Sequence, residues 1–326
     1  MRRKMMEIGE RRAGLLGVVV LLSGFVLMAG CTQTEAGSTD AGAGVGEPIA
    51  LVLTGPAAMP TVQGPDGLDD TWARDAVWND GQVEDARYAA VRSIYGEPRQ
   101  FTARIFTNAE DYAPATTTKS DAWGVSNGGV MPVRVFKHHA REDVPTENYT
   151  YHFSTMAYVG IDGRKPVKVE MGSNEDCGAS FKSAVVDGSG LRWLQSSYFP
   201  GQGVQGGHME LSAESPVVFH DALTLVLRGY PFEVPAELAL QVVPEATTTR
   251  WSPVQPMDAT VRLAGKTAME LPIGTVDAYE LVVAYADGRE ERYWFHADAA
   301  KQHVLVAADT FTQRLRLESV RRWAYW

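Results

Sequence analysis

The sequence predicts a mainly β protein, a curved antiparallel sheet (half-barrel-like) packed on one or two α-helices. Three observations predict it. Five Asp-Gly pairs, at positions 66, 80, 162, 187 and 287, punctuate the chain, and Asp-Gly suits the type I′ turn of tight hairpins. The stretches between them are rich in β-branched and aromatic residues, as strands are. One segment, 215–228, carries a full set of helix start and stop signals. Hairpins and an apolar helix bury their apolar faces together when the sheet curls over the helix.

The first element is not part of the fold. Arg2, Arg3, Lys4, Arg11 and Arg12 precede an apolar run, Ala13 to Met28, that ends in Met28-Ala29-Gly30-Cys31. A basic head, a short apolar stretch and small residues before the processing point are the parts of a secretory signal. The run is short of the roughly 20 residues that a comfortable bilayer span needs. Its end resembles the lipobox of bacterial lipoproteins, with Met28 where leucine is usual. That resemblance implies cleavage after residue 30 and acylation of Cys31. Two or more acyl chains hold a protein stably, where one does so marginally. Thr32 stands where an aspartate would mark inner-membrane retention in enteric bacteria. The expected location is therefore the outer membrane, periplasmic face, lipid-anchored.

Residues 31–67 are rich in Gly, Ala, Thr and Pro and are expected to form a flexible tether, with Ile49–Leu53 as a candidate docking strand. A main β-rich domain is expected over 68–245, with a short helix in 68–78. Its longer helix, 215–228, takes Ser215 as N-cap, Pro216 at the first helical position and Gly229 as the stop. Val218, Ala222, Leu225 and Val226 share one face, but Val217, Phe219, Leu223 and Leu227 fill the others. Such a helix is buried or lies in a groove. The Pro- and Thr-rich stretch 243–258 reads as a boundary. Beyond it, 258–326 is expected to form a C-terminal antiparallel β unit that continues the same sheet or stands beside it. Its best hairpin is centred on Asp287-Gly288, and Leu315 and Leu317 alternate with charged residues as on a half-buried strand. A second hairpin is expected around Asp187–Gly190.

Charge excludes some partners. The 30 Lys+Arg and 40 Asp+Glu of the chain lose five and two with residues 1–30, which leaves 25 against 38. Phosphate binding to nucleic acid needs a basic footprint, so no nucleic-acid partner is expected. Anionic headgroups would be repelled on average, and the acyl anchor is the expected membrane contact. With Cys31 acylated, Cys177 has no partner for an intramolecular disulfide.

Catalytic and metal motifs fail on context. Gly201, Gly203 and Gly206 match a dinucleotide-loop spacing, but no helix comes at once to meet a pyrophosphate. Ser126 in Gly-Val-Ser-Asn-Gly lacks the strand before and the helix after that a nucleophile elbow requires. His138 and His139 point to opposite faces of a strand. His296, Asp298 and His303 have no ligand spacing, and His220 reads as a satisfied core residue. No cofactor or metal is expected. Glu175 and Asp176 oppose the thiolate form of Cys177, which is expected to be a buried thiol packed at a strand end. The C-terminal Trp323, Tyr325 and Trp326 read as a core strand docking back.

The segments "WNDGQVEDARYAAVRSIYGEPR", "ARIFTNAEDY", "VRVFKHH", "ENYTYHFSTMAYV", "VKVEMGSNEDCGASF" and "SYF" resemble, in this order, a family of uncharacterised bacterial lipoproteins, some labelled septum formation inhibitors. Asn174-Glu175-Asp176 departs from the family's Gln-Glu-Trp or Gln-Asp-Trp, and Tyr149-Thr150-Tyr151 from its Tyr-Asp-Tyr. The resemblance implies no catalytic residue. The strands of 276–319 are also similar in rhythm to lipoprotein-carrier and sorting proteins, which implies an acyl chain held between a curved sheet and helices.

The functional expectation is an envelope lipoprotein that is not an enzyme and that binds an apolar ligand, lipid or lipid precursor. Leu223, Leu225, Leu227, Tyr279, Tyr293 and Phe295 are the candidate pocket wall. The alternative is a structural or interaction module of the envelope with a core filled by its own side chains, and the third an enzyme without a readable constellation. A cavity behind the helix favours the first, and a closed core with exposed aromatics the second.

Overall fold

The structure, a computed structural model, describes residues 67–120, 131–212 and 216–324. Cys31, the docking strand 49–53, Ser126, Ser215, Tyr325 and Trp326 lie outside them. The described residues belong to one compact unit and form a single sheet of sixteen strands.

The first half comprises β1 (Gln82–Ile94), β2 (Glu97–Ala113), β3 (Thr118–Lys119), β4 (Val133–Pro145), β5 (Thr150–Gly160), β6 (Pro166–Glu175), β7 (Gly178–Asp187), β8 (Gly190–Ser197) and β9 (Val204–Met209). The second comprises β10 (Val217–Phe219), β11 (Leu238–Val243), β12 (Met257–Leu271), β13 (Gly274–Tyr285), β14 (Glu290–His296), β15 (Leu305–Asp309) and β16 (Gln313–Ala324). The strand order is β10-β11-β12-β13-β14-β15-β16-β1-β2-β4-β5-β6-β7-β8-β9, with β3 beside β2. All pairs are antiparallel except β10–β11. Bulges at Arg87/Tyr88, Tyr158/Val159, Leu263/Gly265 and Trp294/Phe295 break the register, and bulges bend strands. The sheet curves without closing. Edge strand β10 is wholly buried, whereas edge strand β9 is largely exposed.

The hairpins at Asp187–Gly190 and Asp287-Gly288 form as the turn residues require. The helix does not. Val217–Phe219 is a strand, and the chain then passes through a 3-10 turn (His220–Ala222), one α turn, α1 (Leu223–Val226), and a second 3-10 turn (Leu227–Gly229). The β-branched Val217 and Val218 favour extended backbone, and pairing with Gln241–Val243 satisfies their polar groups. Residues 68–78 likewise form two 3-10 turns, Trp72–Arg74 and Ala76–Asn79.

The stretch 243–258 is not a boundary between cores. One hydrophobic cluster takes residues from Trp72 to Leu317, including Phe136 of β4 and Phe295 of β14. Strand β16 pairs with β1, so the last strand of the chain leads directly into the first. Trp72 stacks on Phe136 with ring centroids 5.2 Å apart, and Trp78 meets both rings edge-on.

Candidate functional site

Inward-facing strand positions carry more than apolar residues. Segment 244–256 runs as irregular chain and is held by polar side chains from neighbouring strands. Lys182 Nζ donates to the Ala246 carbonyl at 2.8 Å and to Ser252 Oγ at 2.7 Å. Ser180 and Ser197 donate to the Thr249 carbonyl, and Gln195 brackets Ser252 with one bond in each direction. Arg92 reaches the Thr247 carbonyl at 3.2 Å. Irregular backbone cannot satisfy itself when buried. Alternate polar residues on β7 and β8 therefore act as rungs for this segment, a plug of which Ala246 and Thr247 are buried.

Buried charges surround the plug. Arg92 pairs with Glu142 at 3.2 Å and Glu245 at 3.0 Å. Asp221 accepts from the Ala246 amide and the Thr247 hydroxyl, both at 2.9 Å. His220 Nε2 meets both oxygens of Glu291, which also accepts from Tyr285, Tyr293 and the Phe311 amide. Burial alone would lower the pKa of His220, but the Glu291 carboxylate outweighs it and raises the imidazole to about 9. Burial pushes Lys182 down to about 7 against the attraction of Asp221 and Glu245. His138 has no carboxylate partner, sits between Thr107 and Thr224, and is driven by burial to about 3. The space left among these groups is about 50 Å³, which suits water rather than a ligand.

Among the described residues the six expected pocket residues sit in different places. Leu223, Leu225, Leu227 and Phe295 are fully buried core. Tyr293 borders the small polar space. Tyr279 stacks on Phe232 at 4.6 Å and donates to Glu233. Apolar side chains all round the helix signalled packing on every side, not a lined pocket.

Ligand-sized space lies at the rim. Two adjoining cavities of about 350 and 300 Å³ share Tyr95, Tyr151, Phe199 and Thr249. Thr247, Thr248, Thr249 and Arg250 of the plug line the first, with Phe153 and Phe311. Three phenylalanines of this cleft carry an arginine over the ring: Arg92 on Phe153 at 5.1 Å, Arg250 on Phe199 at 3.9 Å and Arg289 on Phe311 at 4.1 Å. Such contacts hold the rings while leaving their edges free. A further cavity, of about 430 Å³, is bounded by Trp72, Tyr230, Phe232 and Val234 together with the carboxylates Asp69, Asp75 and Glu233.

A hydroxyl cluster marks the cleft mouth. Tyr95 lies in the β1–β2 turn at φ 55°, a left-handed conformation uncommon for a bulky residue. Its side chain is 67% exposed, and its hydroxyl bonds Tyr149 at 3.1 Å and Tyr151. Cys177 Sγ donates to Tyr149 at 3.2 Å. This thiol is exposed, not buried as expected, because Asp176 and Cys177 form the two-residue turn between β6 and β7 rather than a strand end packed on the core. Burial pushes the Tyr151 phenol up to about 12, so it stays neutral. The alternation Tyr149, Tyr151, Phe153 was the sequence signal for this wall.

The other motifs resolve as structure. Gly201–Gly206 leads into β9 rather than a helix. His138 faces inward and His139 bonds Ser154 from the other face. No cluster able to hold a metal occurs among the described residues.

No family model and no curated protein matches this chain. Among solved structures it is similar to a β-barrel-like protein of a domain of unknown function (DUF1849) from Brucella abortus. The identity is 10% and the TM-score 0.40, over 74% of this chain and 98% of that one.

Proposed function

We propose that this chain is a lipid-anchored binding protein of the bacterial envelope, held through Cys31 at the periplasmic face of the outer membrane. It takes the apolar part of a lipid or lipid precursor into the rim cleft. The observation that carries this reading is the pair of adjoining cavities walled by Tyr95, Tyr151, Phe153, Phe199 and Phe311. A barrel-like fold is compatible with ligand binding, and concave, largely apolar clefts with a few polar groups are where small ligands bind. The Tyr151 phenol, kept neutral by burial, and the thiol engaged by Tyr149 favour binding over catalysis.

The test is a fluorescent acyl probe, dansyl-undecanoic acid, titrated into the full chain in neutral detergent. One equivalent is expected to bind. Phe199→Ala and Phe311→Ala each weaken it about tenfold, the loss of a well-packed aromatic contact, while Leu225→Val leaves the affinity unchanged. Equal binding by wild type and cleft variants, or none by wild type, sinks the reading.

One observation favours the second reading, an interaction module. The core is closed, and Tyr95 and Tyr198 stand exposed at 67% and 75%. In that case native mass spectrometry of the purified chain shows no bound lipid, and crosslinking from Tyr198 captures a protein segment.

A further inference from the structure

We propose that the outer face of β1, β2 and β4 is a docking surface for the phosphates of anionic lipid headgroups. Arg87 of β1 stands directly opposite Arg104 of β2, and Arg104 directly opposite Arg141 of β4. Directly opposed residues share a face of the sheet, so three arginines form a row across three adjacent strands. Their in-strand neighbours Ala86, Tyr88, Ala103 and Glu142 are buried on the other face. Arg321 joins the row through Asp85, whose carboxylate is fully buried and bonded by Arg104 at 2.8 Å, Arg321 at 3.1 Å and Trp323 at 3.1 Å. Arg104 and Arg321 hold Asp85, and Arg87 and Arg141 flank Arg104 on the adjoining strands, so cations outnumber carboxylates on this face of a chain whose net charge is −10.

Like charges directly opposite one another destabilise a sheet, and Asp85 offsets only Arg104 and Arg321 of this row. Arg87 and Arg141 are exposed and make no ion pair among the described residues. The nearest other carboxylates are Asp143, held by His152 at 2.6 Å, and Glu318, bulged out of register beside Arg87. Arg104 is fixed in place over the Phe106 ring at 4.6 Å. Strands lie about 4.8 Å apart, so the row sets its arginines side by side on one face, and guanidinium binds phosphate in bidentate fashion. Ser319, beside Arg87, adds a hydroxyl donor at one end. The mean charge of the chain repels an anionic surface, whereas this row attracts one at contact range, where screening matters least.

A bilayer is within reach of this face if the acyl anchor proposed above exists. The charge argument does not need the anchor, and neither does the test. The full chain in neutral maltoside micelles is titrated calorimetrically with micelles doped with phosphatidylglycerol, and in parallel with phosphatidylcholine. Wild type is expected to bind only the anionic micelles and to release them in high salt. Arg87→Gln with Arg141→Gln is expected to weaken binding about twentyfold, about fivefold per arginine near an anionic surface. Arg87→Lys with Arg141→Lys restores most of it, and the glutamine variant melts no lower than wild type, because it loses only like-charge repulsion at exposed positions. Equal binding of the two lipids, or equal binding by wild type and the glutamine variant, overturns the proposal. So does tight binding of inorganic phosphate or poly-glutamate without binding of anionic micelles, which would assign the row to a soluble anion or an acidic protein. Each result is independent of the acyl-probe titration, so the cleft and the row can fail separately.

Discussion

His220 Nε2 lies 2.9 Å from one oxygen of Glu291 and 3.0 Å from the other, with the Glu291 side chain fully buried and Tyr285 and Tyr293 completing its shell. The contact joins the turn after β10 to β14, elements from opposite sides of the supposed boundary. A buried pair is worth little against an apolar replacement but costs much when one partner is removed. It therefore specifies where the 220–229 segment sits more than it adds stability.

This pair and Lys182 give stability opposite pH slopes. His220 is raised to about 9 from 6.5, so its contribution is complete below 6.5 and is lost as pH climbs through 9. Lys182 is lowered to about 7 from 10.5, so its penalty is complete below 7 and is relieved as pH rises toward 10.5. Between pH 7 and 9 the two oppose. Denaturant unfolding across this range is expected to be flatter for wild type than for either variant. His220→Gln stability climbs with pH, and Lys182→Met stability falls. Parallel profiles for all three would show that neither group titrates as its surroundings require.

Arg92 is the clamp between the sheet and the plug. Its guanidinium holds Glu142 on β4 and Glu245 on the plug, both largely buried. Arg92→Ala is expected to lose about 3–5 kcal/mol, the cost of uncompensated buried carboxylates, in urea unfolding. Adding Glu142→Gln to that variant should recover part of the loss, since one stranded charge is then gone. A loss below about 1 kcal/mol, the range of exposed pairs, would mean that the plug does not depend on this contact.

Strand identity and the best hairpins were legible because they depend on local signals. Turn residues at 187–190 and 287–288, and alternation at Leu315 and Leu317, are read within a few residues. The plug was not legible. Ser180 and Lys182 on β7, and Gln195 and Ser197 on β8, alternate as a solvent-facing stripe would, and only the path of residues 244–252 reveals that they face inward. The helix was overextended for a related reason. Capping and periodicity around 215–229 report local preference, while parallel pairing of Val217–Phe219 with residues 241–243 is a tertiary contact that overrides it. The cleft was half legible, since Tyr151 and Phe153 lie on one face of β5, but Phe199, Thr249 and Phe311 reach it only through topology. Net charge hid the arginine row, because register alone aligns residues 87, 104 and 141.

Gly178 offers the sharpest test that the cleft wall is built rather than incidental. A Cβ at this position would lie 2.3 Å from Tyr198 Cδ1 and 2.8 Å from its Cβ, so rotating the ring alone cannot relieve the clash. Its φ of +153° is also one that L side chains rarely adopt. Gly96, at φ +81°, has nothing within 4 Å of its would-be Cβ. Gly96→Ala therefore isolates backbone strain, about 1–2 kcal/mol, whereas Gly178→Ala adds overpacking of about 1–3 kcal/mol. Thermal melting should fall further for Gly178→Ala than for Gly96→Ala. Gly178→Ala should also weaken the acyl probe, since Tyr198 and Phe199 share the wall that must shift. Equal melting temperatures and unchanged probe affinity would show that the Tyr198 ring yields freely, and that the close approach of Gly178 does not shape the cleft.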